Sequence, residues 1–307
     1  MKNGRYLITG CAGFIGSNLV KRIYKKHKLI LVDDLSVGSA NALPKKLKKK
    51  LIRKKIQDIE DFKTKKIDGI FHLAAQSSVP FSLKNFYDSS INNIESSLKV
   101  FELSKKFKAP IVYASSSALY GNIPAGSDKL NKFSIKSPYA QDKLTIENYA
   151  KMSFEFFKTS SIGLRLFNVY GPGQKFNSSY AAVIPIFINR MLKNKPVLIN
   201  GGYQTRDFIY VEDVVEIFLK TMEKIQKQNS CNIFNLGTGR SININFLYKF
   251  IKENIGANSK VIRKKLDEFD PKKSRGSHER IIKFLKLKKY NFTKLENGLL
   301  MTINHFL

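Results

Sequence analysis

The sequence predicts an α/β fold: a doubly wound parallel sheet joined to a smaller, discontinuous C-terminal domain. Three observations carry that reading. Short apolar runs alternate with stretches of helical spacing up to about residue 240. A turn with three regularly spaced glycines, Gly10, Gly13 and Gly16, separates the first apolar run from the first helical stretch. After Asn168 the alternation breaks, and from residue 240 helical stretches alternate with irregular basic segments.

Taken in order, YLITG (6–10) reads as a short buried strand, SNLVKRIYKK as an amphipathic helix and LILVDD as a second strand ending in acid. Together they form a βαβ unit of about 30 residues. The basic runs between 45 and 66 cover a surface loop and one edge strand, and further strands read at 69–75, 110–117, 161–168 and 231–237. Ser137 can cap a helix, Pro138 suits its first position, and TIENYAKMSFEFF continues it with helical periodicity. YGPGQ is a turn, and AAVIPIFINRMLK is a helix in a different setting.

Composition narrows the class. A hydrophobic share of 43% is ordinary for a soluble globular protein. The N-terminal MKNGRYLITG has no basic-then-apolar leader, and no run of about 18 apolar residues could cross a bilayer. Cys11 and Cys231 stand far apart without a C-x-x-C pair, so neither a disulfide framework nor a metal site is expected, and a cytoplasmic location is. The net charge of +30 would by itself suggest nucleic acid or an anionic membrane. Its lysines are scattered through KKLKKK (45–50), RKK (53–55), KTKK (63–66) and RKK (263–265), however, rather than gathered on one helix face with aromatics between them. They read as solvated surface charge, with no specific nucleic acid and no membrane as partner.

The glycine turn lies where a dinucleotide needs it. Backbone must approach a pyrophosphate closely, and the helix that follows offers uncapped N–H groups and a positive dipole end. Asp33, about 20 residues on at the tip of the second strand, can accept both ribose hydroxyls and would repel a 2′-phosphate, which favours NAD over NADP. The fold is therefore Rossmann-type, with residues 1–167 and 205–239 as the NAD-binding domain and 168–204 and 240–307 as the second, substrate-binding domain.

Tyr139 and Lys143 are one helical turn apart. A tyrosine with a pKa near 10 is a poor base, but an adjacent ammonium, a positive nicotinamide ring and a helix N-terminus all favour phenolate. Tyr-x-x-x-Lys is common on ordinary helix surfaces. Behind a Ser-Pro cap, and with a strand ending in Ser115, Ser116 and Ser117, it reads as a general base beside the cofactor, with a serine hydroxyl bridging it to substrate.

GCAGFIGSN, VDDLSVG, HLAAQSSVP, YASSSALYG, SPYAQDK, RLFNVYGPG, TRDFIYVEDV and FNLGTG follow one another in the order found in extended short-chain dehydrogenases/reductases. From residue 5 to about 240 the chain resembles that nucleotide-sugar epimerase/dehydratase family, and UDP-hexose 4-epimerases within it. The resemblance implies catalytic roles for Ser116, Tyr139 and Lys143. It implies cofactor contacts from Gly10, Gly13, Phe14, Ile15, Gly16, Asp33, Asp34, Ser36 and Gly38; from Asp58, at the adenine, and Ile59; and from Leu73, Ser115, Tyr139, Lys143 and Phe167. Ala74, Ala75, Gln76, Lys84 and Asn93 would lie near the nicotinamide half. Substrate contacts would come from Ser117, Asn168, Ala181, Ala182, Val183 and Arg206, the last a guanidinium suited to a diphosphate.

The same resemblance separates chemistries. Dehydratases and decarboxylases of the family carry a Glu, or an Asp-Glu pair, after the serine-bearing strand; here that segment is Ser-Ser-Ser-Ala-Leu-Tyr-Gly. Exchange of a hydride without elimination, hence 4-epimerisation, is the expected reaction. UDP-glucuronate epimerases carry Thr where Asn168 stands. The C-terminal part departs from the pattern: EFDPKKSRGSHERI lacks the expected phosphate-binding Arg, for which Lys272, Lys273, Arg275 or Arg280 would substitute. The gatekeeper falls on Ser277, or on Ser274 in a shifted alignment. Both are small and leave room for an N-acetyl group, so UDP-GlcNAc/UDP-GalNAc is expected, with UDP-Glc/UDP-Gal alongside.

The alternatives are an epimerase or dehydrogenase acting on a GDP- or dTDP-linked sugar, and a catalytically silent NAD-binding scaffold, against which the retention of Ser116, Tyr139 and Lys143 argues. Relatives pair through two helices per subunit. The resemblance therefore implies a homodimer through the helices near 91–107 and 140–157, with Ile91, Ile94, Leu98, Phe101, Phe154, Phe156 and Phe157 as apolar surface.

Overall fold

The central sheet is built from seven strands: β1 (Arg5–Thr9), β2 (Lys28–Val32), β3 (Leu51–Ile52), β4 (Gly69–His72), β5 (Ile111–Ser116), β6 (Ser161–Leu166) and β7 (Cys231–Leu236). The computed structural model describes residues 3–130, 132–176, 182–267, 270–288 and 290–307. The strand order is β7-β6-β5-β4-β1-β2-β3. β1 pairs in parallel with both β2 and β4, so the order reverses there and a crevice opens at the carboxyl ends of β1 and β4. The expected strands are all present, each trimmed by a residue or more at its loop end.

Three helices matter to the site: α1 (Phe14–Ile23), α2 (Phe86–Phe107) and α3 (Pro138–Phe157). α3 begins as its sequence dictates: Ser137, in extended conformation, accepts the Ala140 N–H at 3.2 Å, and Pro138 takes the first helical position. α2 and α3 each end in a left-handed lysine, Lys108 and Lys158. Among the described residues no helix is long and apolar enough to cross a membrane.

The chain divides into two compact units. The first comprises 1–116, 137–165 and 214–234; the second comprises 117–136, 166–213 and 235–307. Relative to the sequence division, 117–136, 166–167, 205–213 and 235–239 fall with the second unit, where the short strands of 117–136 and 205–213 find their partners. Residues 125–126 pair with 275–276, 205–206 with 242–243, and 208–210 with 168–170. Leu7, Val32, Ile70, Ile111, Tyr113 and Ile146 are central to one core cluster of the first unit. Ile184, Phe187, Ile188, Leu247, Ile251 and Leu299 are central to the core of the second.

Candidate active site

The glycine loop separates what the fold needs from what a ligand needs. Gly10 has φ +67°, and a Cβ there would lie 2.5 Å from the Ala74 nitrogen; at Gly16 it would lie 2.1 Å from the Gly10 oxygen. Those two glycines let the loop pack against Leu73 and Ala74, just past β4, and against itself. Gly13 is different, since a Cβ there meets only the Gly10 oxygen, at 3.3 Å. It begins α1 with no side-chain cap and no acidic residue in the first turn, leaving the amides of Phe14, Ile15 and Gly16 at an uncapped helix start. A backbone without a side chain before such a start fits a pyrophosphate.

Asp33, at the end of β2, is buried and already committed. Its Oδ2 accepts the Ala12 N–H at 2.8 Å and its Oδ1 the Leu35 N–H at 2.9 Å, so it braces the glycine loop. Burial raises its pKa while these amides pull it down. Gly38 is glycine for the same reason, because a Cβ would come within 2.9 Å of Asp33 Oδ1. Asp34 accepts from Ser36 Oγ at 2.6 Å. Asp58 is exposed in a short turn and its neighbour Ile59 is buried.

Tyr139, Lys143 and Glu147, four residues apart on α3, face the end of β5. The Tyr139 hydroxyl is hydrogen-bonded with Ser116. Lys143 Nζ donates to the Ala114 carbonyl at 2.8 Å and stands 5.8 Å from the centre of the Tyr139 ring. Tyr139 is 8% exposed and Lys143 3%. In the protein without NAD, burial raises the phenol's pKa, and the hydrogen bond with Ser116 lowers it. Burial likewise brings Lys143 down to about 8, against the opposing charges of Asp142 and Glu147.

A second bracket holds the loop after β4. Asn93 Oδ1 accepts the Gln76 N–H at 2.8 Å, while its Nδ2 donates to the Gln76 carbonyl at 3.1 Å and to Asp142 at 3.0 Å. Asn93 thus positions Ala74, Ala75 and Gln76 from beneath. Lys84 is exposed at the end of a short helix (Val79–Lys84) whose Ser82 Oγ accepts the Tyr139 N–H at 3.3 Å.

The expected substrate residues lie in the second unit, where buried Asp207 ties three segments together. It accepts from the amides of Thr238 at 2.8 Å, Gly239 at 2.9 Å and Gly276 at 3.2 Å. Phe167 stacks on Tyr120, with ring centres 6.3 Å apart, and a Cβ on Gly276 would reach within 2.2 Å of it. Phe167 is therefore a packing residue in this geometry. Asn168 is exposed and donates its N–H to the Asp207 carbonyl at 2.9 Å. Ala182 and Val183 start the helix Val183–Leu192, and Ala181 lies outside the described residues. Ser277 is exposed, just beyond the short strand Arg275–Gly276, and Ser274 donates its N–H to the Thr205 carbonyl at 3.1 Å.

Arg206 is not paired with its neighbour Asp207. Its guanidinium makes an ion pair with Asp270 and donates to the Thr205 carbonyl at 2.8 Å. Of the basic residues suggested as substitutes, Arg280 pairs with Asp128, while Lys272, Lys273 and Arg275 are exposed. Sequence reasoning missed Asp270, Asp207, Asp142 and the buried pair Glu147–Arg165. For the last a signal existed, because an arginine inside the apolar run SIGLRL needs a buried partner. Among the described residues no cluster of three His, Cys, Asp or Glu side chains could hold a metal.

The sheet order, the uncapped helix start behind Gly13 and the Ser116–Tyr139–Lys143 cluster define a dinucleotide-dependent enzyme fold of the short-chain dehydrogenase/reductase type. The chain belongs to the NAD dependent epimerase/dehydratase family, whose sequence profile matches residues 6–237. NAD is its cofactor. A putative UDP-glucose 4-epimerase of Methanocaldococcus jannaschii is 36% identical over 83% of this chain and 84% of its own. The solved UDP-N-acetylglucosamine 4-epimerase of Methanobrevibacter ruminantium, in complex with UDP-N-acetylmuramic acid, superposes with a TM-score of 0.91. It is 33% identical, with 100% of this chain and 99% of that one covered. A dTDP-D-glucose 4,6-dehydratase of Dictyostelium discoideum is 31% identical over 82% of this chain and 62% of its own.

Proposed function

We propose that this enzyme interconverts the C4 epimers of a UDP-hexose, UDP-GlcNAc with UDP-GalNAc foremost and UDP-Glc with UDP-Gal second. One observation supports the reading: among the described residues, no free carboxylate accompanies the Ser116–Tyr139–Lys143 cluster. Residues 111–123 contain no Asp or Glu. The two buried carboxylates of α3 are committed, Asp142 to Asn93 and Glu147 to Arg165. Eliminating water needs an acid and a base of its own; oxidising and re-reducing one carbinol needs only a single proton carrier.

The loop 10–16, Asp33 and Asp34 would hold the adenosine and pyrophosphate of NAD, which when bound accepts and returns a hydride. Ser116 would orient the sugar hydroxyl toward Tyr139. Tyr139 would take the proton as the carbinol becomes a 4-keto sugar and give it back after the sugar has turned over. Lys143, an ammonium below about pH 8, would stabilise the phenolate charge that Tyr139 carries before it takes the proton and again after it returns it. Arg206 would meet the diphosphate once Asp270 is displaced, and the small Ser277 supports an N-acetylated substrate.

Exposed apolar side chains on the two long helices support a homodimer: Phe86, Tyr87 and Ile91 on α2, and Met152, Phe156 and Phe157 on α3. Phe101 contributes to the core against Tyr113 instead. Light scattering checks the dimer. Incubation with UDP-GlcNAc, and separately UDP-Glc, without added NAD tests the reaction. UDP-GalNAc or UDP-Gal as product supports epimerisation, and a 4-keto-6-deoxy product from a dTDP sugar would replace it with dehydration.

A further inference from the structure

One buried charged pair has no part in the chemistry above. Arg165, on β6, donates Nε to Glu147 Oε1 at 2.8 Å and Nη2 to Oε2 at 2.6 Å, with side chains only 5% and 1% exposed. Buried ion pairs seldom stabilise a fold more than apolar residues of the same volume would. What this pair supplies beyond packing is a fixed, ionised acceptor. Its Oε1 also takes the hydroxyl of Ser115 at 2.6 Å. Three consecutive residues of β5 are thus fastened to one face of α3: the Ala114 carbonyl by Lys143, Ser115 by Glu147, and Ser116 by Tyr139.

The geometry points to Glu147, locked in place by Arg165, as a positioning residue that sets the end of β5 so that the Ser116 hydroxyl meets Tyr139 and the Ala114 carbonyl meets Lys143. A strand end is free to twist about its last residues. The middle fastening, between the two that touch reacting groups, removes that freedom, and displacements of about 1 Å at a reacting centre cost on the order of 100-fold in rate. Glu147 also bears on Lys143 electrostatically. The groups facing that ammonium are Tyr139, Asp142 and Glu147 on its own helix, the Ala114 carbonyl on β5, and His72 on β4, which burial keeps neutral with a pKa of about 3. Arg165 bears on it through Glu147.

This inference rests on the roles proposed for Ser116, Tyr139 and Lys143, and its test is separable from them. Ser115→Ala removes the middle fastening and leaves the ion pair. It should lower kcat on UDP-GlcNAc about 10-fold with KM within about 2-fold, and raise the pH midpoint of the Tyr139 phenolate. That midpoint is read in the NAD-loaded protein as the ultraviolet difference from Tyr139→Phe. Ser116→Ala should shift it in the same direction and further. Ser115→Thr, which keeps the hydroxyl, should restore both values. Replacing Glu147 and Arg165 together by Met, an exchange that leaves no orphaned charge, should keep the fold and lose at least as much kcat; if it does not fold, the two Ser115 variants decide alone. A Ser115→Ala protein with wild-type kcat and wild-type midpoint would overturn the inference, whatever its melting temperature. If no UDP sugar turns over in the wild type, the functional reading fails, while the phenolate midpoint still decides the positioning role.

Discussion

The candidate site residues of the two units are held in opposite ways. In the first unit, Ser116, Tyr139 and Lys143 lie buried and hydrogen-bonded along the seam of α3 and β5, with Glu147 tied to Ser115 and to Arg165 on β6. In the second, Asn168 and Ser277 are exposed, and buried Arg206 spends its charge on Asp270, whose side chain is 42% exposed. Groups that must hold a proton at a set distance are preorganised by the fold. On the proposed function, the groups that admit the sugar are left to be organised by the substrate.

The sharpest break in that comparison is Tyr139→Phe, which removes the proton carrier without disturbing packing; turnover should fall by about 10²- to 10⁴-fold with unchanged unfolding. Next come the glycines. Gly10→Ala puts a Cβ 2.5 Å from the Ala74 backbone at φ +67°, so both folding and cofactor retention should fail. Gly13→Ala, with only the Gly10 oxygen at 3.3 Å, should keep its melting temperature and selectively lose NAD, as equilibrium dialysis would report. On the substrate side, Ser277→Tyr should reduce kcat/KM for UDP-GlcNAc relative to UDP-Glc by about 10-fold or more, measured in competition. Asp270→Asn frees Arg206 and should lower KM by about two- to fivefold with kcat unchanged, a modest effect because the pair is partly solvated.

The smallest effect is on stability. Lys143 titrates at about 8 in the folded protein against 10.5 ordinarily, so between those values the unfolded chain binds more protons than the native one. Its contribution to stability therefore rises with pH across that window. Lys143→Met should flatten the slope in urea melts taken at successive pH values.

Much of the first unit was legible in the sequence because its signals are local. Ser137 and Pro138 announce the start of α3, the glycine spacing announces the turn, and the acid at the tip of β2 follows from strand length. What was not legible depends on contacts between distant residues. Asp33 could be found from sequence, but not that its carboxylate braces the loop at Ala12 and Leu35. Glu147 lies two turns beyond Tyr139 on the same face, yet only the burial of β6 makes Arg165 its partner. The C-terminal segment was least legible: of the basic residues between 272 and 280, Arg280 pairs with Asp128 while Lys272, Lys273 and Arg275 stay exposed, and Asp270, just before them, engages Arg206.

The central claim is that one carbinol is oxidised and re-reduced without elimination. UDP-GlcNAc carrying deuterium at C4, incubated with the enzyme without added NAD and resolved by mass spectrometry and NMR, tests it most directly. The account predicts UDP-GalNAc with the label retained at C4, and no product from Tyr139→Phe. Label found on another carbon of a dehydrated sugar, or undiminished turnover by Tyr139→Phe, would contradict it.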